Sequence, residues 1–192
     1  MAEHAVRLGM PLAEFVEQYN QKAFELVNGE VIVLSPNVAG HQWVMQKLFL
    51  ILHGVVTAQQ AGYIAIETPF ALTDSPNWVK GSRTPDLMFF QATRWSAYIA
   101  ATPDWKGKPY LLVPDLAIEV VSPNDRYSEI DDKVEGYLAD NVQLVWVIDP
   151  QRRKVSIHTT DNDQPITLRQ TAILTGGDVL PGFSIPVKSL FE

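Results

Sequence analysis

The segment PDLAIEVVS, residues 114–122, constrains the fold more than any other. It has the length of a strand and carries apolar residues on both faces, as a strand at the centre of a sheet does. QLVWVIDP, residues 143–150, is a second core strand, ended by Pro150. Between them a helix is expected from Ser128 to about Ala139. Ser128 with Asp131 resembles a capping box, and Ile130, Val134, Tyr137 and Leu138 supply an apolar stripe.

Working outward from these strands gives an α/β order. KAFELVNGEVIVLSP reads as an N-terminal β-hairpin, because Asn28 and Gly29 both tolerate the positive φ of a two-residue turn. A helix is expected over residues 41–60, with Val44, Leu48, Ile51, Leu52 and Val55 on one side. YIAIE and FAL read as strand, residues 74–82 as a loop rich in turn residues, and TPDLMFF as the next strand. Residues 91–109 carry no clear period, with a short helical turn expected at Tyr98 to Ala101. KVSIHT pairs back across PQRR, and ITLRQTAIL and VLPGFSIPV add C-terminal β segments. From His41 to Asp149 the order is helix, three strands, helix, strand, which gives a mixed central sheet. The 192 residues show no repeat or linker, and residues 1–192 are expected to form a single domain.

Composition narrows the chemistry. There is no cysteine, so disulfides and thiolate metal sites are excluded, in keeping with a reducing cytoplasm. No basic-then-apolar leader opens the chain and no apolar run reaches membrane length, so a cytoplasmic protein without a membrane partner is expected. The net charge of −7 argues against phosphate contacts across the whole surface. It is unevenly spread. Between Ser75 and Tyr110 the bases Lys80, Arg83, Arg94, Lys106 and Lys108 face only Asp86 and Asp104, which makes a local basic surface there a candidate beside a plain solvated loop. Trp78, Trp95 and Trp105 lie in the same stretch and are candidates for stacking on bases, whereas Trp43 and Trp146 are expected in the core. The four histidines lack the spacing of a zincin helix, no glycine loop cradles phosphate, and GFSIP lacks the second glycine of a nucleophile elbow.

Glu119 sits in the middle of the first core strand. A carboxylate there loses hydration, at several kcal/mol, unless a metal ion, a buried salt bridge or protonation compensates. A hard divalent ion needs further oxygen ligands. Asp115 is four residues earlier on the same strand, about 13 Å away at ~3.3 Å per residue, and reads as a strand entry. Asp86 lies on a different strand, and neighbouring strands are only about 4.8 Å apart. Lys133 falls at the edge of its helix's apolar stripe. It can lean toward the sheet or pair with Glu129 at i,i+4 spacing.

Asp86, Glu119 and a nearby lysine make the chain resemble the PD-(D/E)XK nuclease superfamily. More closely it resembles the bacterial putative restriction endonuclease family (Uma-type), long catalogued as a domain of unknown function. The resemblance runs through FELVNGEVIVLSP with His41, TPDLMFF, PDLAIEVVSPNDR, DDKVEGYL, VQLVWVIDP and LPGFSIPVKSLF. It implies a restriction-endonuclease-like αβββαβ core and a metal-dependent endonuclease acting on DNA. Asp86 and Glu119 would hold Mg²⁺ or Mn²⁺ with help from the Val120 carbonyl. The superfamily lysine normally stands two residues after the acid, where this chain has Val121. In the closer family it is carried on the following helix, where Lys133 stands. Glu30 matches the family's early acid, as a metal ligand, a water-orienting group or a plain strand-end glutamate. His41 matches a histidine at a helix start. A homodimer is a further implication. The rival reading is an inactive module of the same fold that binds nucleic acid or a protein partner.

Overall fold

The computed structural model describes residues 7–192, apart from the side chain of Asp163. In chain order the elements begin with β1 (Met10–Pro11), α1 (Leu12–Gln21), β2 (Phe24–Val27), β3 (Glu30–Val33) and α2 (Ala39–Gln59). Then come β4 (Gly62–Ile66), β5 (Phe70–Ser75), β6 (Trp78–Arg83), β7 (Leu87–Gln91) and α3 (Ala92–Ala101). The chain continues through β8 (Leu116–Val120), α4 (Tyr127–Ala139), β9 (Leu144–Asp149), β10 (Lys154–Thr159), β11 (Asn162–Arg169), β12 (Ile173–Gly176) and β13 (Leu180–Pro186). The described residues form two compact units, each assembled from separated segments.

The smaller unit takes residues up to Ser35, Pro69–Thr84 and Asp104–Val113. Its sheet runs β1-β6-β2-β3, with β5 also paired to β6. β2 and β3 form the expected hairpin, and Asn28 (φ 53°) and Gly29 (φ 85°) take the left-handed conformations its turn needs. The expected loop over residues 74–82 is instead a hairpin, with β6 joined antiparallel to β5. Its strand signals are weak because Lys80, Gly81 and Ser82 break the apolar alternation. Pairing with three strands makes up for that, with Val79 fully buried and the Ser82 hydroxyl accepting the Leu26 N–H at 2.9 Å.

The larger unit takes Pro36–Thr68, Pro85–Pro103 and Pro114–Glu192. Its sheet runs β11-β10-β9-β8-β7-β4. Only β8 and β9 are parallel, because α4 crosses between them; the other pairings are antiparallel. The mixed sheet and the α2-β4-β7-β8-α4-β9 order agree with the expected αβββαβ core. Leu116, Ile118 and Val120 project to one face of β8 and pack with Val44, Leu48 and Leu52 of α2 in a shared core. Glu119 projects to the other face, where α4 buries Ile130, Val134 and Tyr137.

Several expectations are corrected here. α4 begins at Tyr127 with Arg126 as its N-cap, and Glu129 rather than Asp131 reaches back to the N-cap N–H, at 3.5 Å. The helical turn expected at Tyr98 to Ala101 is the end of the longer α3. Trp43 is 49% exposed, because the buried positions of α2 are His41, Val44, Met45, Leu48, Leu52 and Val56 and residue 43 lies off that stripe. Trp146 is fully buried, as expected. Trp95 stacks on Tyr63, with ring centroids 4.1 Å apart and planes 6° from parallel, so that face of its indole is already covered.

Candidate active site

β7 and β8 run antiparallel with Leu87 opposite Ile118. One step further in the same register puts Asp86 across from Glu119. On the other side of β7, Ile66 is opposite Leu87, and the Glu67 N–H donates to the Asp86 carbonyl at 3.1 Å. Three acidic residues on adjacent chains therefore lie at one end of the sheet. Pro85 precedes Asp86, and a residue that cannot continue a ladder as donor suits the threshold of a strand.

Glu119 is 3% exposed. Lys133 Nζ donates to its Oε2 at 2.8 Å, and the Tyr137 hydroxyl donates to Oε1. Lys133 and Tyr137 are four residues apart on α4, so they share a face and reach the same carboxylate. The inward lean of Lys133 is observed. From sequence, Tyr137 is expected only as a core residue. Its i,i+4 spacing from Lys133 was the signal for its polar role.

The two donors do not satisfy Glu119. Its pKa is pushed up from 4.5 to about 7, first by burial and further by the negative charge of Asp86, against the opposing pull of Lys133 and both hydrogen bonds. Protonation therefore stabilises the folded form. That contribution is complete below pH ~4.5 and is lost as pH rises through about 7. In EDTA, wild type is expected to lose roughly 3 kcal/mol relative to Glu119→Gln between pH 5 and pH 8. Urea denaturation at both pH values measures this, and parallel pH profiles for the two proteins would contradict it.

Asp86 is held on a different set of donors. The Val120 N–H donates to its Oδ2 at 2.6 Å, and His41 Nε2 donates to the same oxygen at 2.9 Å. A strand residue presents its N–H and C=O toward the same neighbour, so the Val120 carbonyl also faces the Asp86 side. His41 lies in the first turn of α2, buried, with Nδ1 meeting no partner among the described residues. Burial alone would lower its pKa. The hydrogen bond to Asp86 and the charges of Asp86, Glu119 and Glu67 outweigh burial and raise it above 6.5. Glu67 was not singled out from sequence. It has φ 42°, and its Oε1 accepts from Asn37 Nδ2 at 2.5 Å and Gln42 Nε2 at 3.1 Å.

Glu30 is in the smaller unit, at the exposed start of β3 and opposite Val27. Asp115 heads β8 as the expected strand entry, but it is fully buried and carries a network of its own. Of the basic residues between Ser75 and Tyr110, Arg94 is committed to Asp115 and Lys108 to Asp104.

Two carboxylates and a strand carbonyl are hard oxygen donors. Mg²⁺ and Mn²⁺ suit such a set, since Mg²⁺ is commonly held by one or two carboxylates and keeps several waters. The raised pKa of Glu119 marks a site short of positive charge, so the residues fit such an ion. Among the described residues no group of three acids or histidines forms a complete protein cage. Also among them, no helix is long and apolar enough to cross a membrane.

Comparison with known proteins bears on the fold and the family. A solved structure of a putative nuclease belonging to DUF820, from Anabaena variabilis, matches with a TM-score of 0.75 at 20% identity, over 95% of this chain and 97% of that one. At that identity the likeness speaks for the fold. No curated protein matches. The family model described as Uma2, putative restriction endonuclease, matches residues 12–188. The chain belongs to the Uma2 putative restriction endonuclease family.

Proposed function

We propose that this chain is a metal-dependent endonuclease that hydrolyses phosphodiester bonds in DNA. The observation that carries the reading is the meeting of Asp86 and Glu119 across adjacent strands, with Lys133 bonded to Glu119. Asp86, Glu119 and the Val120 carbonyl would hold Mg²⁺ or Mn²⁺. Such an ion polarises a phosphoryl oxygen and lowers the pKa of bound water.

The chain's own residues have separate tasks. Lys133 is 30% exposed at its side chain, so its ammonium can meet solvent and substrate while resting on Glu119. There it orients the attacking water and offsets negative charge growing at phosphorus. Tyr137 holds the other oxygen of Glu119 and limits its rotation. His41 and the Val120 N–H together fix Oδ2 of Asp86, and so orient the carboxylate that would hold the cation. His41 is a positioning residue in this scheme. His41→Ala is expected to weaken Mn²⁺ binding about 10-fold or more, a loss usual for groups that orient a ligand. Titration of free Mn²⁺ by electron paramagnetic resonance reads this directly, and unchanged affinity would exclude the role.

The reading is tested by nicking of supercoiled plasmid in Mg²⁺, in Mn²⁺ and in EDTA. Cutting that requires the metal is expected; no cutting with either ion would refute the proposal. The displacement of the lysine from strand to helix favours a second reading, a nuclease fold that binds nucleic acid without cutting it. Binding without any metal-dependent nicking would select that alternative.

A further inference from the structure

We propose that the start of α4 and the turn between β9 and β10 form a surface that grips the phosphodiester backbone beside the cutting site. The inference rests on the nuclease reading and assigns the strand-binding residues to it.

The chain is acidic overall, yet Arg152, Arg153 and Lys154 are consecutive. The structure adds Arg126, at the N-cap of α4, to the neighbourhood of that run. Tyr127 joins the two segments. The residue is 44% exposed, with the Arg152 guanidinium 4.6 Å and Lys154 Nζ 5.8 Å from the ring centroid. Beneath it is the buried carboxylate of Asp149. The Tyr127 hydroxyl donates to Asp149 Oδ2 at 2.6 Å, Arg152 N–H donates to Oδ1 at 2.9 Å, and Arg152 Nη1 lies 3.3 Å from Oδ2. One buried acid therefore anchors an aromatic platform and a basic turn. Arg126 and Arg153 are exposed, and neither forms an ion pair among the described residues. Their charge is available to a ligand.

The position follows from strand register. Val120 is opposite Ile148 in the parallel β8–β9 pair, and the Val121 N–H donates to the Ile148 carbonyl at 2.8 Å. Asp149 is the next residue, and Lys154 is its partner on β10. With strands about 4.8 Å apart and ~3.3 Å per residue, Asp149 and Lys154 lie roughly 8 and 12 Å from Glu119 along the backbone. At about 3.4 Å per nucleotide along one strand of a duplex, that spans two to four nucleotides from the cut. Lys154, the cation that this register places, and the turn beside it are on the same end of the sheet as Asp86 and Glu119, which suits phosphates a few nucleotides from the reacting one. An acidic protein that neutralises phosphate needs such a concentrated patch, because its average surface repels the substrate.

The test is fluorescence anisotropy of a labelled DNA duplex with Ca²⁺, across a range of salt concentrations. Arg126→Glu with Arg153→Glu is expected to weaken binding at least about 10-fold and to reduce the salt slope by about 2, near 0.9 per phosphate contact. Mn²⁺ affinity and circular dichroism should not change. Lys22→Glu with Lys188→Glu makes the same change in net charge at exposed residues outside this surface and should leave affinity within about 3-fold. Equal weakening by both pairs would reduce the effect to net charge and overturn the assignment. Wild type that binds and nicks, with no response to Arg126→Glu and Arg153→Glu, would overturn this surface alone. Wild type with no salt-sensitive DNA binding would overturn the surface and the nuclease reading together.

Discussion

Glu119→Gln is expected to lose at least about 100-fold in metal-dependent nicking while keeping its fold, the scale on which removal of one charge-stabilising group is felt. Glutamine matches the shape of glutamate; its carbonyl oxygen can still accept from Lys133, and its amide N–H can donate to the Tyr137 hydroxyl, which turns to accept. What it lacks is the negative charge that would hold a divalent cation. The substitution also removes the buried charge whose pKa is pushed up to about 7, so at neutral pH folding does not suffer. Asp86→Asn should behave similarly, and Mn²⁺ affinity should fall in both. Nicking at the wild-type rate in Glu119→Gln would remove this residue from the chemistry. A loss of nicking with unchanged Mn²⁺ binding would mean that Glu119 acts on the water or the substrate rather than on the ion.

Asp115→Ala is expected to cost about 3 kcal/mol of stability, with no change in Mn²⁺ affinity. Asp115 Oδ1 accepts from Arg94 Nη1 at 2.6 Å and from Gln143 Nε2 at 3.0 Å, and Oδ2 accepts the Gln91 N–H at 2.8 Å. Its backbone N–H donates to Phe89 and its carbonyl accepts from Leu144. The carboxylate ties the end of β7, the first turn of α3 and the entry to β9 onto the head of β8. Alanine leaves those donors without their acceptor. Arg94 is 37% exposed at its side chain and can rehydrate, which keeps the cost at the low end of the range for breaking a buried pair. For a chain of this size the midpoint of thermal unfolding should fall by roughly 6–12 °C. Asp115→Asn should recover part of the loss. A fall below 1 kcal/mol in urea denaturation would show that the network is dispensable.

Asp115 and Glu119 stand on one strand, and local sequence reads them unequally. Glu119 is conspicuous because it interrupts an apolar run, so its need for compensation follows from composition alone. Asp115 follows a proline at the strand's start, a position where an exposed aspartate is ordinary, and nothing local signals its burial. Arg94, Gln91 and Gln143 are 21 to 28 residues away in sequence and reach it only through the sheet order. The hairpin of β5 and β6 is the same case at the level of backbone. Its second strand is strand-like only at Trp78 and Val79, and the rest is held by pairing with distant partners. Trp43 shows the converse, since aromatic character suggested the core while helical phase placed it outward.

Apolar period and turn chemistry act over a few residues, and at that range the sequence alone determined the core strands, α2 and α4, the Asn28–Gly29 turn and the need of Glu119 for compensation. It also showed that a lysine on α4 can face the sheet. Tertiary structure decided which donors each carboxylate takes. Lys133 and Tyr137 go to Glu119, while His41 and the Val120 N–H go to Asp86. The reason is distance along the chain. Partners 14 to 45 residues apart meet because strand register and helix packing bring them together, and no local pattern carries that register.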